Sequence, residues 1–165
     1  MKPIIILLVL LGLAALMWVE YAPVRSRKRK RAALTAALDR LVLGHKLSLE
    51  YSDAFGERVI ALDRLNRKLL WVDHHSREQQ EYCIPLLQVG HSRIVQEHEK
   101  GAITRLFLEL TPKGEGIPFR LCFFDSAINL QTGLPAAARR ARHWKTRVEL
   151  YRHPGQINSE LEYVL

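Results

Sequence analysis

The stretch ITRLFLEL at Ile103–Leu110, followed after a TPKGEG turn by IPFRLCFF at Ile117–Phe124, decides the architecture. Leu106, Leu108 and Leu110, and again Phe119, Leu121 and Phe123, alternate with Arg105, Phe107, Glu109, Arg120, Cys122 and Phe124. A period of two puts one set of side chains on each face, as half-buried antiparallel strands require. Working outward, the same reading applies to Lys46–Asp53, where Leu47, Leu49 and Tyr51 share one face. It extends to Arg58–Leu62, Lys68–Asp73, Glu81–Leu86 and Gln88–Gln96, separated by the turn-forming DRLNRK, HHSRE and HEKG. The expected fold is mainly β, with about seven short strands.

Two helices frame the strands. Ala32–Leu43 (AALTAALDRLVL) has Leu34, Leu38 and Leu41 at helical spacing, with Gly44 placed to end it. Its apolar stripe is expected to dock on the following domain, the alternative being that it lies in the membrane interface as a continuation of the basic segment before it. Leu134–Tyr151 opens with a proline in its first turn and repeats apolar residues at Ala137, Ala141, Trp144, Val148 and Tyr151. Trp144 is expected to be structural, plugging the open end of the sheet. The other side of this helix carries Arg139, Arg140, Arg142, Lys145 and Arg147, a basic face and candidate binding surface.

The amino-terminal region has a different character. Pro3–Val19 (PIIILLVLLGLAALMWV) is uncharged, and its seventeen residues would span roughly 25 Å as a helix. Trp18 and Tyr21 are expected as interfacial anchors. Arg25, Arg27, Lys28, Arg29, Lys30 and Arg31 follow as a basic collar, which orients the carboxyl-terminal part toward the cytoplasm and attracts anionic lipid. A cleaved secretory signal is the competing reading; Glu20 interrupts the cleavage region, and the cations beyond it resist translocation. The expected organisation is a transmembrane anchor over 1–22, a juxtamembrane segment over 23–44, a β domain over 45–153 and a tail over 154–165. The expected location is the inner membrane, with a single pass and a cytoplasmic domain.

Charge is distributed unevenly along the chain. Of the net charge of +8, residues 1–31 contribute seven Lys or Arg against one acid, and residues 32–165 contribute eighteen against sixteen. The folded part is therefore nearly neutral, and a general affinity for nucleic acid is not expected of it. The two cysteines, Cys83 and Cys122, sit in strand-like runs and read as buried thiols on the reducing side of a membrane.

Seven antiparallel strands closed by one carboxyl-terminal helix describe the pleckstrin-homology superfold. Over residues 50–152 the chain resembles bacterial PH-like domains. The resemblance lies in SDAFGERVIALDRLNRKLLWVD with its D-x-x-N-x-K turn, in CIPLLQV, in ITRLFLEL with IPFRLCFFD, and in ARRARHWKTRV as the capping helix. It implies a closed barrel, no assigned biochemical activity, and a binding or scaffolding role, often behind an amino-terminal membrane segment. LTAALDRLVLGHKLSLEYSDAFGERV also resembles the opening of a WYL domain, a small Sm-like barrel, which implies a nucleic-acid or nucleotide ligand. That likeness stops near Val59.

No catalytic or metal-binding pattern stands out. His74, His75, Cys83, His91 and His98 lack metal-ligand spacing. Asp53, Asp63, Asp73 and Asp125 fall at strand ends, where Asp favours turns. Gly114 and Gly116 are not followed by a phosphate-binding helix. Arg64, Arg67 and Lys68 make the first hairpin turn basic without completing a phosphate site. The expectation is a membrane-anchored interaction module that recruits a protein partner. It has no cofactor and no metal, and it is not an enzyme. The alternative is a nucleic-acid or nucleotide-ligand binder that uses the basic helix.

Overall fold

The structure is a computed structural model that describes residues 32–75, 80–128 and 133–153. Its elements are a helix α1 over 32–45, β1 (Tyr51–Phe55), β2 (Arg58–Asp63), β3 (Lys68–Asp73) and β4 (Gln80–Pro85). A single 3-10 turn (Leu86–Gln88) leads to β5 (Val89–Glu99), β6 (Ala102–Pro112), β7 (Phe119–Asp125) and α2 (Leu134–Arg152). All neighbouring strands are antiparallel.

The strands do not close into a barrel, which corrects the PH-like expectation. They form two separate sheets, β1-β2-β3-β4 and β5-β6-β7. Pro85 ends β4 and the 3-10 turn redirects the chain into β5, which does not pair with β4; at one seam β4 meets β7 through the Tyr82 and Phe119 rings, 5.4 Å apart, and not through a ladder. At the other seam α2 fills the gap beside β1. Arg140 Nε donates to Asp53 of β1 at 2.8 Å, and Trp144 Nε1 reaches the same carboxylate oxygen at 3.4 Å. The core between the sheets is a side-chain layer, with Phe55 stacked on Phe123 at 5.2 Å and Trp71 tilted against both. The buried indole N–H of Trp71 has no acceptor among the described residues. Ala137, Ala141, Trp144, Val148 and Tyr151 turn into this core from α2.

The transmembrane helix has no counterpart among the described residues, where no helix is long and apolar enough to cross a membrane. The longest, α2, has 19 residues, and its row of arginines excludes a bilayer interior. The expected span over 1–22, with Trp18 and Tyr21, lies outside the described residues, as do the collar cations Arg25, Arg27, Lys28, Arg29, Lys30 and Arg31.

α1 lies on the outer face of the four-stranded sheet. Leu34 and Ala37 pack on Val59 and Val72, while Leu38, Leu41 and Val42 cover Ala61 and Leu70. Both faces of β2 and β3 are therefore dry, which explains why VIAL and LLWV are continuous apolar runs and do not alternate. The helix passes Gly44 and ends at His45. Leu47 N–H bonds to Val42 O and Lys46 N–H to Leu43 O, with Lys46 at φ 51, the paired bonds of a Schellman cap. This cap consumes the start of the strand expected at Lys46. Leu47 and Leu49 consequently pack beneath α1, whereas Tyr51 faces the inner core. Because lysine sits where glycine is unstrained, Lys46→Gly is expected to raise stability by about 1 kcal/mol, measurable as a higher thermal midpoint.

Asp63 fixes the β2–β3 turn. Its carboxylate accepts from Asn66 N at 2.9 Å, Asn66 Nδ2 at 2.7 Å and Ser48 N at 2.9 Å, so it ties the turn to the α1–β1 link. Burial pushes its pKa up, but the hydrogen bonds from Asn66, Ser48 and Leu65 outweigh that and hold it below the ordinary value. A lowered folded-state pKa contributes stability that is present above the ordinary carboxylate value and lost as pH falls through the folded value. Asp63→Asn is expected to cost about 2–3 kcal/mol at neutral pH, from loss of hydrogen bonds to a charged group. Urea midpoints of the variant and the parent at pH 7 and pH 3 should converge at the lower pH.

Candidate functional site

The outer face of β5–β7 carries a chain of alternating charges built by strand register. Arg93 stands opposite Glu109, Glu109 opposite Arg120, Glu97 opposite Arg105, and Arg105 opposite Asp125. Directly opposed unlike charges stabilise a sheet face. Arg93 Nε donates to Glu109 at 2.7 Å and Arg120 Nε to the other oxygen of the same carboxylate at 3.2 Å. Arg120 Nη1 reaches Glu97 at 3.0 Å, and Arg105 Nε reaches Asp125 at 3.2 Å. The Arg120 guanidinium also lies 4.7 Å from the centroid of the Phe107 ring, within cation–π range. Three guanidiniums are thus balanced by three carboxylates around one half-buried aromatic ring.

One feature of this face departs from simple alternation. β7 carries an extra residue, Phe123, between the pairs Cys122↔Phe107 and Phe124↔Leu106. The bulge turns Phe124 inward beside Phe123, so both rings join the core, where alternation alone would place Phe124 outside.

A cleft of about 810 Å³ opens beside this face, where Arg105, Phe107, Arg120 and Cys122 meet Arg58, Asp73 and His75. At its base Arg58 Nε donates to Asp73 Oδ2 at 2.8 Å, and both side chains are buried. The other Asp73 oxygen accepts from His75 N at 2.8 Å, so Asp73 holds the β3–β4 turn as well. A shallower hollow of about 560 Å³, lined by Glu97, Glu99 and Thr104, shares Arg105 and Asp125 with the cleft. Burial pushes the Cys122 thiol up to about 11, so it stays protonated at neutral pH and is a poor nucleophile there. Cys83, also free and half-buried, is raised for the same reason. No group of three or more metal ligands occurs among the described residues. His74 and His75 stand 3.6 Å from Glu81 and Glu57, respectively.

The basic face of α2 divides in two. Arg140 and Arg147 turn toward the core side: Arg140 onto Asp53 and the Phe55 ring, and Arg147 over Tyr51 at 4.1 Å and Trp144 at 5.2 Å. Arg139 and Arg142 are exposed and Lys145 is half-buried; none has an ion pair among the described residues. The helical spacing named the five cations but could not show that two of them clamp the helix to β1. Near the end of α2, Glu149 accepts from Ser92 Oγ at 2.5 Å and pairs with Arg152, which also reaches Gly90 O at the bulge in β5. The cations Arg64, Arg67 and Lys68 stand at the β2–β3 turn, the second hairpin and not the first, where Arg64 pairs with Glu50 at 3.4 Å.

Compared with family models, with curated proteins and with solved structures, the chain matches none. The functional reading therefore rests on the geometry above.

Proposed function

We propose that the folded part is a protein-interaction module that holds a partner near the inner face of a membrane, with the outer face of β5–β7 and its adjoining cleft as the docking surface. Membrane placement draws its support from the sequence of residues 3–31, apolar and then basic. The observation that carries the docking surface is the guanidinium–carboxylate chain around Phe107, which is charge-balanced and fixed by its own hydrogen bonds. Such a surface gives little net attraction to a polyanion, whereas a protein surface bearing both signs of charge and an apolar group can be complementary to it. The clamping of Arg140 and Arg147 onto β1 also thins the basic face on which a nucleic-acid reading depends.

The test is site-specific photo-crosslinking in cells, with a photoreactive residue replacing Phe107 or Arg139 in the full chain. The expected result is one discrete protein adduct from position 107, persisting at raised salt, and none from position 139. Nucleic-acid adducts from position 139, or no adduct from 107, would overturn the reading, because phosphate-driven binding falls steeply with salt.

A further inference from the structure

Five large apolar side chains are exposed among the described residues: Leu43, Leu65, Leu87, Ile117 and Ile128. Single exposed apolar residues are ordinary, but the first four converge. Leu43 is in the last turn of α1, Leu65 in the β2–β3 turn, Leu87 in the 3-10 turn and Ile117 in the β6–β7 loop. Hydrogen bonds join these segments in series. Ser48 N–H bonds to Asp63 and Glu50 N–H to Leu62 O, which places the end of α1 beside the β2–β3 turn. Leu86 N–H bonds to Arg67 O, and Lys113 N–H bonds to Gln88 O. The four tips therefore occupy one end of the molecule, and Leu65 and Ile117 are 83% and 90% exposed.

The same end is basic. Lys46, Arg64, Arg67, Lys68 and Lys113 stand among the tips, against Glu50 and Glu115 on the exposed side. The tips come from four separate segments and project outward, while the cleft and hollow described above lie elsewhere. A protein partner would have to match four unconnected protrusions in shape. A bilayer interface would not, because the headgroup layer accepts scattered apolar groups to a depth of about 5–10 Å and attracts cations electrostatically.

We propose that this end of the domain docks on an anionic lipid surface, with Leu43, Leu65, Leu87 and Ile117 entering the headgroup layer and the surrounding cations facing lipid phosphates. The site is distinct from the basic residues 25–31 and lies at the opposite end of β2 and β3 from the Arg58–Asp73 cleft. It stands independently of the protein-docking reading, since its test involves no partner.

The full chain, with Cys83→Ser and Cys122→Ser, would be reconstituted into vesicles of phosphatidylcholine alone or with phosphatidylglycerol. Each protein would carry one environment-sensitive fluorophore, at Leu65→Cys, at Ile117→Cys or at Gln96→Cys, the last lying far along β5 from the tips. With anionic lipid, the labels at 65 and 117 should shift to the blue and be quenched by spin-labelled lipid, while the label at 96 should do neither. Lys46→Glu with Lys113→Glu, both exposed positions, should abolish the quenching while circular dichroism is unchanged. Labels at 65 and 117 that behave like the label at 96, or quenching that persists in the charge variant, would overturn the proposal.

Discussion

Trp144→Ala is expected to destabilise the domain by about 3–5 kcal/mol, the range for truncating a large buried aromatic residue. The indole is fully buried at the centre of the α2 stripe, within the core shared by both sheets. It does three things that alanine cannot. It fills the space between α2 and the sheets, presents its ring to the Arg147 guanidinium, and reaches the Asp53 carboxylate through Nε1. Domains of this size are stable by about 5–15 kcal/mol, so the loss would remove a large share of the total. Urea denaturation followed by circular dichroism measures it. Trp144→Phe, which keeps most of the volume and loses the bond to Asp53, should cost clearly less. If the two variants are equally damaged, the bond and not the packing is the dominant contribution.

Asp73→Ala is expected to cost a similar amount, about 3–5 kcal/mol, for a different reason. Arg58 and Asp73 are both almost fully buried, and the substitution removes the carboxylate that the guanidinium meets at 2.8 Å in the interior. It also removes the acceptor for His75 N–H. Attraction between buried charges is largely cancelled by their desolvation, so replacing both should be far milder than replacing one. Arg58→Met combined with Asp73→Leu is expected to lie within about 2 kcal/mol of the parent in urea denaturation, allowing for the lost turn bond. A double variant as unstable as the single one would show that the pair is worth more than apolar packing at the base of the cleft.

The strands and α2 were legible because their periods are local. Leu106, Leu108 and Leu110 declare a face through neighbours two residues apart, and Ala137 to Tyr151 declare a stripe in steps of three and four. What could not be read depends on residues distant in sequence. Whether β4 pairs with β5 is decided by Pro85 and the turn after it, and whether the sheets meet at the other seam by where α2 lodges. Phe124 was misplaced because a bulge changes the parity of a strand without changing its composition. The end of α1 was misplaced because Lys46 takes a left-handed conformation that glycine would have signalled.

For the site, the individual charges were visible and their pairing was not. Arg105, Glu109 and Arg120 read as the polar side of half-buried strands, but only the register shows that they join with Arg93, Glu97 and Asp125 into one chain. The basic helix had the opposite fate. Its cations form a single face by count, yet Arg140 and Arg147 serve the interior. A continuous apolar run in a central strand, as in β2 and β3, was a usable sign that a second element covers the sheet.

The seating of α1 also has a mechanical consequence. Residues 32–45 form a helix held by Leu34, Ala37, Leu38 and Leu41 across β2 and β3 and by the Arg40–Glu81 pair at 3.1 Å. A displacement applied to the first turn of α1 is therefore transmitted to the sheet as shear across an interlocked side-chain layer, and helix and sheet move as one unit.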